Sequence, residues 1–383
     1  MEVIKIRDKS LIIILGLFLL TGLIVAPADC LNGASRGLDL CFKIIIPSLF
    51  PFFVCSKLLI ECGFAQTLGK WCSFFMRPIF NVPGCGSFAF VMGIISGYPV
   101  GAKCALELYE ENNCTRAEAE RLICFCNNSG PLFIIGSVAI GMLYSQIAGI
   151  ILYVAHILSA ITVGIAFRFY KSREKMTLKC ASFRISQRHT KKTIGEALSS
   201  AISQSVELTL YVCGFITFFS ALLVILERFG IIGIFSYLFE LFGASSDVAT
   251  ALSYGFFEIS NGIIRLSTLQ IGSLKLILIS IILAWSGISV ILQVTGIIAK
   301  SGLSRLIFVG AKALQAVFAG VYTLIILRLP MGSVEVFSKT MPHISVAGSF
   351  AYSILLMTIG LAVFLIISSI SFLMQKRHHS NFE

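Results

Sequence analysis

The chain has 383 residues, of which 57% are apolar and only 13% are charged, and its mean hydropathy is +0.92. Soluble domains usually carry about 25% charged residues, so this composition excludes an ordinary soluble protein. Together with apolar stretches of about 18 residues or more, it predicts an all-α polytopic membrane protein embedded in the lipid bilayer.

The net charge of +11 is concentrated in short polar segments between the apolar stretches. Basic residues of this kind favour the cytoplasmic side of a membrane. They are not interleaved with aromatic residues, so no nucleic-acid partner is predicted. We therefore expect both termini and one long basic loop to be cytoplasmic. The basic residues concerned are Lys5, Arg7, Lys9, Lys171, Arg173, Lys175, Lys179, Arg184, Arg188, Lys191, Lys192, Lys376 and Arg377.

The apolar pattern predicts about eight transmembrane helices. They lie at residues 11–27, 39–60, 120–143, 146–169, 206–227, 272–294, 304–328 and 350–374. The chain accordingly divides into an N-terminal transmembrane helix, a first repeat, a basic cytoplasmic loop, a second repeat and a C-terminal transmembrane helix. These regions are 1–30, 39–169, 170–195, 206–328 and 350–375.

Two further apolar stretches, 84–101 and 230–264, are too short or too broken to be ordinary spans. If 84–101 crossed the membrane, the basic loop would lie outside the cell. We therefore predict that 84–101 is a re-entrant helical hairpin, which enters the membrane and returns. Backbone of this kind is tolerated at membrane depth only where it packs in protein or lines a wet cavity.

Three short matches between the halves predict an internal repeat. "PFFVCSKLLIECG" resembles "TFFSALLVILERFG", "ISG" resembles "ISNG", and "NNSGPLFIIGSV" resembles "AWSGISVILQVT", each in the same order. The first copy begins with a span from outside to inside, and the second with a span from inside to outside. The two repeats are therefore expected to be inverted, as in secondary transporters whose substrate sites lie near the midplane.

The stretch "SGYPVGAK" contains the predicted tip of the first hairpin. Ser96, Gly97 and Pro99 suit a tight turn, and Tyr98 offers a ring and a hydroxyl to a cavity. Lys103 follows the tip and could attract a carboxylate or phosphate. The alternative for Lys103 is a side chain that extends to the membrane interface.

The motif "CFCNNSGPLFIIG" is the second candidate site. Asn127, Asn128, Ser129 and Gly130 are consecutive within an apolar helix, and Pro131 removes a backbone donor and should break that helix. Half-helix ends carry partial charges that suit anions and coupling cations. A binding role is therefore predicted, with polar contacts between helices as the alternative.

In the second half, "FFEISNG" contains Glu258, Ser260 and Asn261. A carboxylate inside a membrane is expensive, so Glu258 is predicted to bind a coupling proton or Na⁺. The alternatives are a pairing with Lys103 and a purely structural ion pair.

The motif "AWSGISVILQ" adds Trp285, Ser286 and Gln293 to the predicted substrate-binding residues. An indole at a helix break could stack on a ring-shaped solute.

Catalysis finds little support in the sequence. The five histidines form no metal-binding spacing and lie near no acidic cluster, and "GCGSFA" lacks a strand-helix context for a dinucleotide. The sequence therefore predicts no enzyme, no cofactor and no metal site. It leaves open whether the chain forms a homo-oligomer.

The motifs "SGYPVGAK", "NNSGPLFIIG", "FFEISNG" and "WSGISV" resemble the sporulation integral membrane protein YlbJ family, which belongs with the Gate, or nucleoside-recognition, domain proteins. The resemblance covers about Pro47 to Gly302. It implies two Gate-like repeats, an endospore-forming bacterium, and a bacterial cell membrane or outer forespore membrane as the location.

The same resemblance implies a role in spore maturation and import of dipicolinic acid, a planar aromatic dianion, by alternating access. Lysine, helix N-termini, amides and an aromatic ring suit such a small-molecule anion. The alternatives are a non-transporting scaffold or regulator of spore cortex or envelope assembly, and a nucleoside transporter.

Overall fold

The computed structural model describes residues 6–61, 71–172, 174 and 193–329. These residues are helices and connecting turns, with no strand among them. Five stretches of this part of the chain are long and apolar enough to cross a membrane: Pro27–Leu58, Gln146–Phe167, Ile194–Arg228, Leu274–Ile297 and Arg305–Arg328. The predicted C-terminal span at 350–374 and most of the basic loop lie outside the described residues.

The first half begins with two long helical elements. Helix α1 (Ile6–Val25) is followed by one continuous element made of α2 (Pro27–Leu40), a π-helical turn π1 (Cys41–Ile45) and α3 (Ile46–Glu61). A second π-helical turn, π2 (Met76–Phe80), precedes a hairpin of two short helices. The rest of the half consists of α4 (Gly86–Ile95), α5 (Val100–Glu110), α6 (Arg116–Cys126), the π-helix π3 (Leu132–Met142) and α7 (Gln146–Phe167).

The second half begins with the longest described helix, α8 (Ile194–Arg228). The rest of the half consists of α9 (Ile231–Leu241), α10 (Ser246–Phe257), α11 (Ile259–Thr268), α12 (Leu274–Trp285), α13 (Gly287–Ile297) and α14 (Arg305–Arg328). The order of long helix, hairpin, broken helix and long helix therefore occurs in both halves.

Each half contains a helical hairpin. We call α4–α5 the first hairpin, with its tip at residues 96–99, and α10–α11 the second hairpin, with its tip at Glu258. At 1.5 Å per residue, each hairpin helix is about 15–18 Å long, roughly half of the 30 Å needed to cross the hydrocarbon core. The stretch 84–101 is thus one arm and the tip of a hairpin whose second arm extends to Glu110.

Each half also contains a helix that stops and restarts. The first broken helix joins α6 to π3 through residues 127–131, where Pro131 has no backbone N–H to continue the helix. The second broken helix joins α12 to α13 at Ser286 and Gly287. Both residues have positive φ angles, 72° and 67°, so the helical path cannot pass through them. The predicted break of the helix at 120–143 is observed, although its first half begins at Arg116.

Three boundaries differ from the sequence prediction. The span predicted at 39–60 begins at Pro27, and the one at 206–227 begins at Ile194. In α2 the buried residues lie on one face, which packs against α8. The polar residues on the opposite face lower the mean hydropathy of α2, so the sequence of this helix resembles that of a loop. The stretch 230–264 contains α9, α10 and the start of α11 rather than one broken segment.

The two halves interlock around one hydrophobic core that includes residues of both. The first hairpin contacts α13 of the second half, and the second hairpin contacts π3 of the first half. Helix α14 packs against α12, α7 and α6. Each hairpin therefore contacts a broken helix of the opposite half.

A polar cluster around Glu120 joins three helices at one end of this core. Its carboxylate accepts hydrogen bonds from Arg116, Tyr170, Lys171 and the backbone N–H of Ser304, at 3.0–3.3 Å. Burial alone would lower the pKa of Lys171, but its hydrogen bond to Glu120 raises it above its ordinary value. The cluster fixes α6 against the end of α7 and the start of α14.

Candidate functional site between the hairpin tips

A narrow cleft with a free volume of about 40 Å³ lies where the two halves meet. This is well below the roughly 300–1,000 Å³ of open small-molecule sites, so the cleft is closed in this structure. It is bounded by both hairpin tips, both broken helices, α3 and α8. The lining residues are Leu49, Phe52, Phe53, Ser96, Gly97, Tyr98, Gly130, Leu132, Phe133, Val212, Phe215, Ile216, Glu258, Ile259, Ser260, Ser289, Val290 and Gln293.

The first hairpin tip meets the first broken helix at backbone level. Gly97 has φ +75°, and a Cβ atom on it would lie 2.7 Å from the backbone nitrogen of Gly130. Only glycine combines this conformation with so close an approach. The structure thus brings the predicted residues Gly97 and Gly130 together at the cleft.

The second tip meets the second broken helix in the same way. Gly287 has φ +67°, and a Cβ atom on it would lie 3.1 Å from the carbonyl oxygen of Phe257 and 3.3 Å from the Cα of Glu258. Both tips therefore rest on the break of the broken helix in their own half.

Glu258 is buried at the second tip and caps the N-terminus of α11. Its Oε2 accepts hydrogen bonds from the backbone nitrogen of Asn261 at 2.7 Å and from Asn261 Nδ2 at 2.8 Å. Asn261 Nδ2 also lies 2.9 Å from Ser220 Oγ on α8. A helix N-terminus and an amide thus stabilise the carboxylate, and Asn261 positions it rather than lining the cleft.

The pairing of Glu258 with Lys103, offered as an alternative by the sequence, does not occur. Lys103 is exposed on the first turn of α5, does not line the cleft and forms none of the described ion pairs. Because the chain turns into α5 at Pro99, the Lys103 side chain points away from the tip. Within the described part of the chain, Glu258 is the one charged residue that lines the cleft.

A buried polar cluster, which we call the Lys312 cluster, lies at the first break. Lys312 Nζ donates to the carbonyl oxygen of Asn127 at 3.1 Å and to Gln315 Oε1 at 2.7 Å. Gln315 Nε2 donates to Asn128 Oδ1 at 3.0 Å, and Asn128 Nδ2 donates to the carbonyl oxygen of Phe125 at 2.7 Å. The predicted Asn127 and Asn128 do not line the cleft; the Asn127 carbonyl and the Asn128 side chain bond residues of α14 instead.

His156 on α7 completes the Lys312 cluster. Its Nε2 accepts from the backbone nitrogen of Ser129 at 3.1 Å, while its Nδ1 is buried with no partner. The sequence analysis missed Lys312, Gln315 and His156 as site residues. The signal available was "KALQ", a lysine and an amide one turn apart inside an apolar helix.

Several buried polar atoms near the cleft have no hydrogen-bond partner. They include Ser96 Oγ at the first tip, Ser129 Oγ at the first break and Gln293 Oε1 on α13. An unsatisfied buried polar group costs about 1–3 kcal/mol, so native structures rarely keep one without a reason. A polar solute in the cleft would provide such partners.

Other predicted residues have structural contacts instead. Trp285 does not line the cleft: its ring stacks on Phe256 at 5.3 Å between centroids, and its Nε1 donates to the Phe256 carbonyl at 3.0 Å. Ser286 is buried in the second break, and Pro99 is buried where α5 begins. Ser260 and Tyr98 do line the cleft.

Comparison with known proteins identifies the family. The chain is 37% identical over 328 residues to the sporulation integral membrane protein YlbJ of Bacillus subtilis (strain 168), covering 81% of this chain and 80% of that protein. The chain belongs to the YlbJ family of sporulation integral membrane proteins. Residues 42–128 also match the Gate family, described as nucleoside recognition.

The YlbJ-family fold is similar to that of solved concentrative nucleoside transporters. A variant of CNTnw in an outward-facing state aligns with a TM-score of 0.57 at 14% identity, covering 86% of each chain. Another CNTnw variant, in an intermediate state, gives 0.57 at 14% identity, covering 84% of this chain and 86% of that one. At this identity the similarity establishes the fold alone. The chain is thus an integral membrane protein with a transporter-like fold.

Proposed function

We propose that this chain is a membrane transporter that moves a small aromatic solute through the cleft by alternating access during spore maturation. The observation that carries the proposal is the position of the cleft, which lies between two hairpin tips and two broken helices from both repeats. Transporters built from inverted repeats place their substrate sites at such junctions. Dipicolinic acid is the first candidate substrate because the chain belongs to a sporulation family.

The walls of the cleft suit a planar ring. Five aromatic side chains line it, together with aliphatic residues from α3, α8 and α13; the aromatic residues are Phe52, Phe53, Tyr98, Phe133 and Phe215. Aromatic rings contribute large apolar contact areas and defined stacking geometries. The hydroxyls of Ser96, Ser260 and Ser289 and the amide of Gln293 supply the few polar groups that orient a solute.

Because the Glu258 carboxylate makes the cleft negative, an anionic solute needs a coupling cation there. A carboxylate of dipicolinate at about 4 Å from ionised Glu258 would be repelled by roughly 4 kcal/mol at an effective dielectric of about 20. A proton or Na⁺ bound at Glu258 removes that repulsion. Glu258 is therefore the proposed ion-coupling residue, and anion transport is expected to depend on a proton or sodium gradient.

The proposal includes a membrane arrangement. The two hairpins are re-entrant, since their helices are about half as long as the hydrocarbon core is thick, and the repeats are inverted relative to one another. We place the protein in the outer forespore membrane or the bacterial cell membrane, with both termini cytoplasmic. The basic segments flanking the spans support that orientation.

A nucleoside is the second candidate substrate. The absence of any lysine or arginine among the described lining residues suits a neutral ring solute better than a dianion. The Gate match, described as nucleoside recognition, points in the same direction. A nucleoside would need no neutralising cation for its own charge, which separates the two candidates experimentally.

Uptake of radiolabelled dipicolinate and uridine into proteoliposomes tests the proposal. We expect dipicolinate uptake that rises with an inward proton or Na⁺ gradient and falls when the gradient is collapsed. Uptake of uridine alone would favour the second candidate. Uptake of neither solute above that of protein-free liposomes would contradict transport and favour the non-transporting scaffold or regulator of spore cortex or envelope assembly.

A further inference from the structure

Lys312 is a buried lysine without a carboxylate partner. Its side chain is 0% exposed in the middle of α14, a helix that spans 24 residues. Among the described residues, no aspartate or glutamate forms an ion pair with it. An isolated charge is expensive to bury, so the oxygens that surround this ammonium must compensate for most of that cost.

One of the two oxygens bonded to Lys312 belongs to the end of a half-helix. Asn127 is the C-cap of α6, and its carbonyl, which accepts from Lys312 Nζ at 3.1 Å, is one of those left without an intrahelical partner. Carbonyls at a helix C-terminus carry partial negative charge, equivalent to about half an elementary charge. In transporters with broken helices, such ends coordinate Na⁺ or H⁺.

Gln315 adds a second, oriented oxygen. Its Nε2 donates to Asn128 Oδ1 at 3.0 Å, which turns its Oε1 toward Lys312 at 2.7 Å. Asn128 is itself fixed by its bond to the Phe125 carbonyl. The cluster therefore presents two oxygens, the Asn127 carbonyl and Gln315 Oε1, to one central cation.

We propose that the Lys312 ammonium is the resident cation of a cation site at the first broken helix. It occupies the place that a dissolved Na⁺ or K⁺ would otherwise take between the Asn127 carbonyl and the Gln315 amide oxygen. The first break consequently needs no free cation. In the proposed transporter, coupling to a dissolved ion then falls to Glu258 at the second hairpin, and this last step rests on the proposed function.

Cation-dependent thermal unfolding of purified protein tests the inference without any solute. All samples carry Glu258→Gln, so that cation effects at the second hairpin are removed. Lys312→Ala is compared with its parent and with Lys275→Ala. Lys275 is the matched control, because it is also buried and donates to a backbone carbonyl, that of Ser267, at 2.7 Å.

We expect the Tm of Lys312→Ala to be lower than that of the parent in choline chloride. It should rise by at least about 3 °C in methylammonium, sodium or potassium chloride, because a free cation stabilises only the variant that lacks its own. The parent and Lys275→Ala should respond by less than about 1 °C. A Lys312→Ala variant with the same Tm in all four salts would overturn the inference, as would a parent that responds equally.

A second variant pair covers the case in which Lys312→Ala does not fold. Lys312→Met fills the space of the lysine stem without a charge, and Lys312→Arg keeps the charge. We expect Lys312→Met to unfold below both the parent and Lys312→Arg, because the Asn127 and Gln315 oxygens lose their donor. A Lys312→Met protein as stable as the parent would refute a cation requirement. Since no solute is present, these results stand whether or not transport is observed.

Discussion

Glu258 is the side chain on which the proposed coupling depends. It lines the cleft, caps α11 and is held by Asn261. A glutamine in its place keeps an acceptor for these N–H groups but removes the charge that a proton or Na⁺ would neutralise. The two functions of the carboxylate, capping and ion binding, can therefore be separated by one substitution.

Glu258→Gln is predicted to abolish the dependence of uptake on the ion gradient. Uptake should proceed at one rate whatever the gradient, because a neutral amide neither repels the anion nor binds a coupling cation. Gradient-driven uptake in proteoliposomes is the measurement. Glu240→Gln, at an exposed glutamate on α9, should retain the parent behaviour. An unchanged gradient dependence in Glu258→Gln would exclude this residue as the coupling site.

Two glutamines provide a contrast between a solute contact and a structural one. Gln293 Oε1 faces the cleft region without a partner, whereas Gln315 bonds both Lys312 and Asn128. We predict that Gln293→Leu leaves the Tm unchanged or raised and lowers solute affinity. Gln315→Leu should destabilise the fold by about 1–3 kcal/mol, since two buried groups lose their partner.

Thermal unfolding and solute binding, measured on both glutamine variants, check this contrast. The two substitutions are chemically identical and both sites are buried, so each variant serves as the control of the other. Loss of stability in Gln293→Leu equal to that in Gln315→Leu would show that Gln293 has an unrecognised structural partner.

The sequence predicted those site residues that interrupt an apolar pattern. Ser96, Gly97 and Gly130 stand out in this way, and the structure places them at the cleft. Lys103 was assigned to the site by its distance along the chain, but the turn into α5 directs it outward. Lys312 was missed because a single lysine in an apolar helix also fits a side chain that extends to the membrane surface.

At the level of helices, the same contact between a hairpin tip and a broken helix occurs in both halves. Gly93 and Gly101, in the two arms of the first hairpin, both approach the Cys126 carbonyl at the end of α6 so closely that a Cβ atom at either position would clash with it. The first hairpin therefore packs closely against the broken helix at glycines along its length as well as at its tip.

Gly97→Ala is predicted to destabilise this contact and to impair uptake. The left-handed conformation at φ +75° alone costs a non-glycine residue about 1–2 kcal/mol, and the added methyl group would also meet Gly130. Gly233→Ala is the matched control, because that glycine lies within α9 with nothing within 4 Å of the added carbon. Thermal unfolding should show a lower Tm for Gly97→Ala alone. A Gly97→Ala protein with parental Tm and uptake would contradict the role assigned to this contact.

Helix interruptions were easier to predict than helix starts. Pro131 and the "WSG" motif marked both breaks, because proline and left-handed residues end a helix for local reasons. The start of the second long element at Pro27 was predicted too late. Helix α2, which begins there, has one polar face and one face buried against α8. A hydropathy average does not detect such a tertiary contact.

Across the chain, the same order of long helix, hairpin, broken helix and long helix occurs twice, and the halves meet at one cleft. This arrangement was predictable in outline because the internal matches "ISG"/"ISNG" and "NNSG"/"AWSG" fall at the tips and breaks. The charge balance of the cleft was not predictable, since it depends on where Lys103 and Lys312 point. This charge balance determines the expected coupling of transport to a cation at Glu258.

The central claim is that the cleft opens alternately to the two sides of the membrane. Ser289 lines it and is only 2% exposed in this structure, so a reagent can reach that position only when the cleft opens. Ser236 is a suitable control, because it is buried away from the cleft and bonded to Ser253.

Labelling of a Ser289→Cys variant with a membrane-impermeant thiol reagent tests this claim most directly. The reagent is added to the outside or to the inside of proteoliposomes, and labelling is measured as the increment over the parent chain. We predict labelling from both sides, slowed by dipicolinate, and none for Ser236→Cys. Labelling of Ser289→Cys from one side only, or from neither, would contradict alternating access.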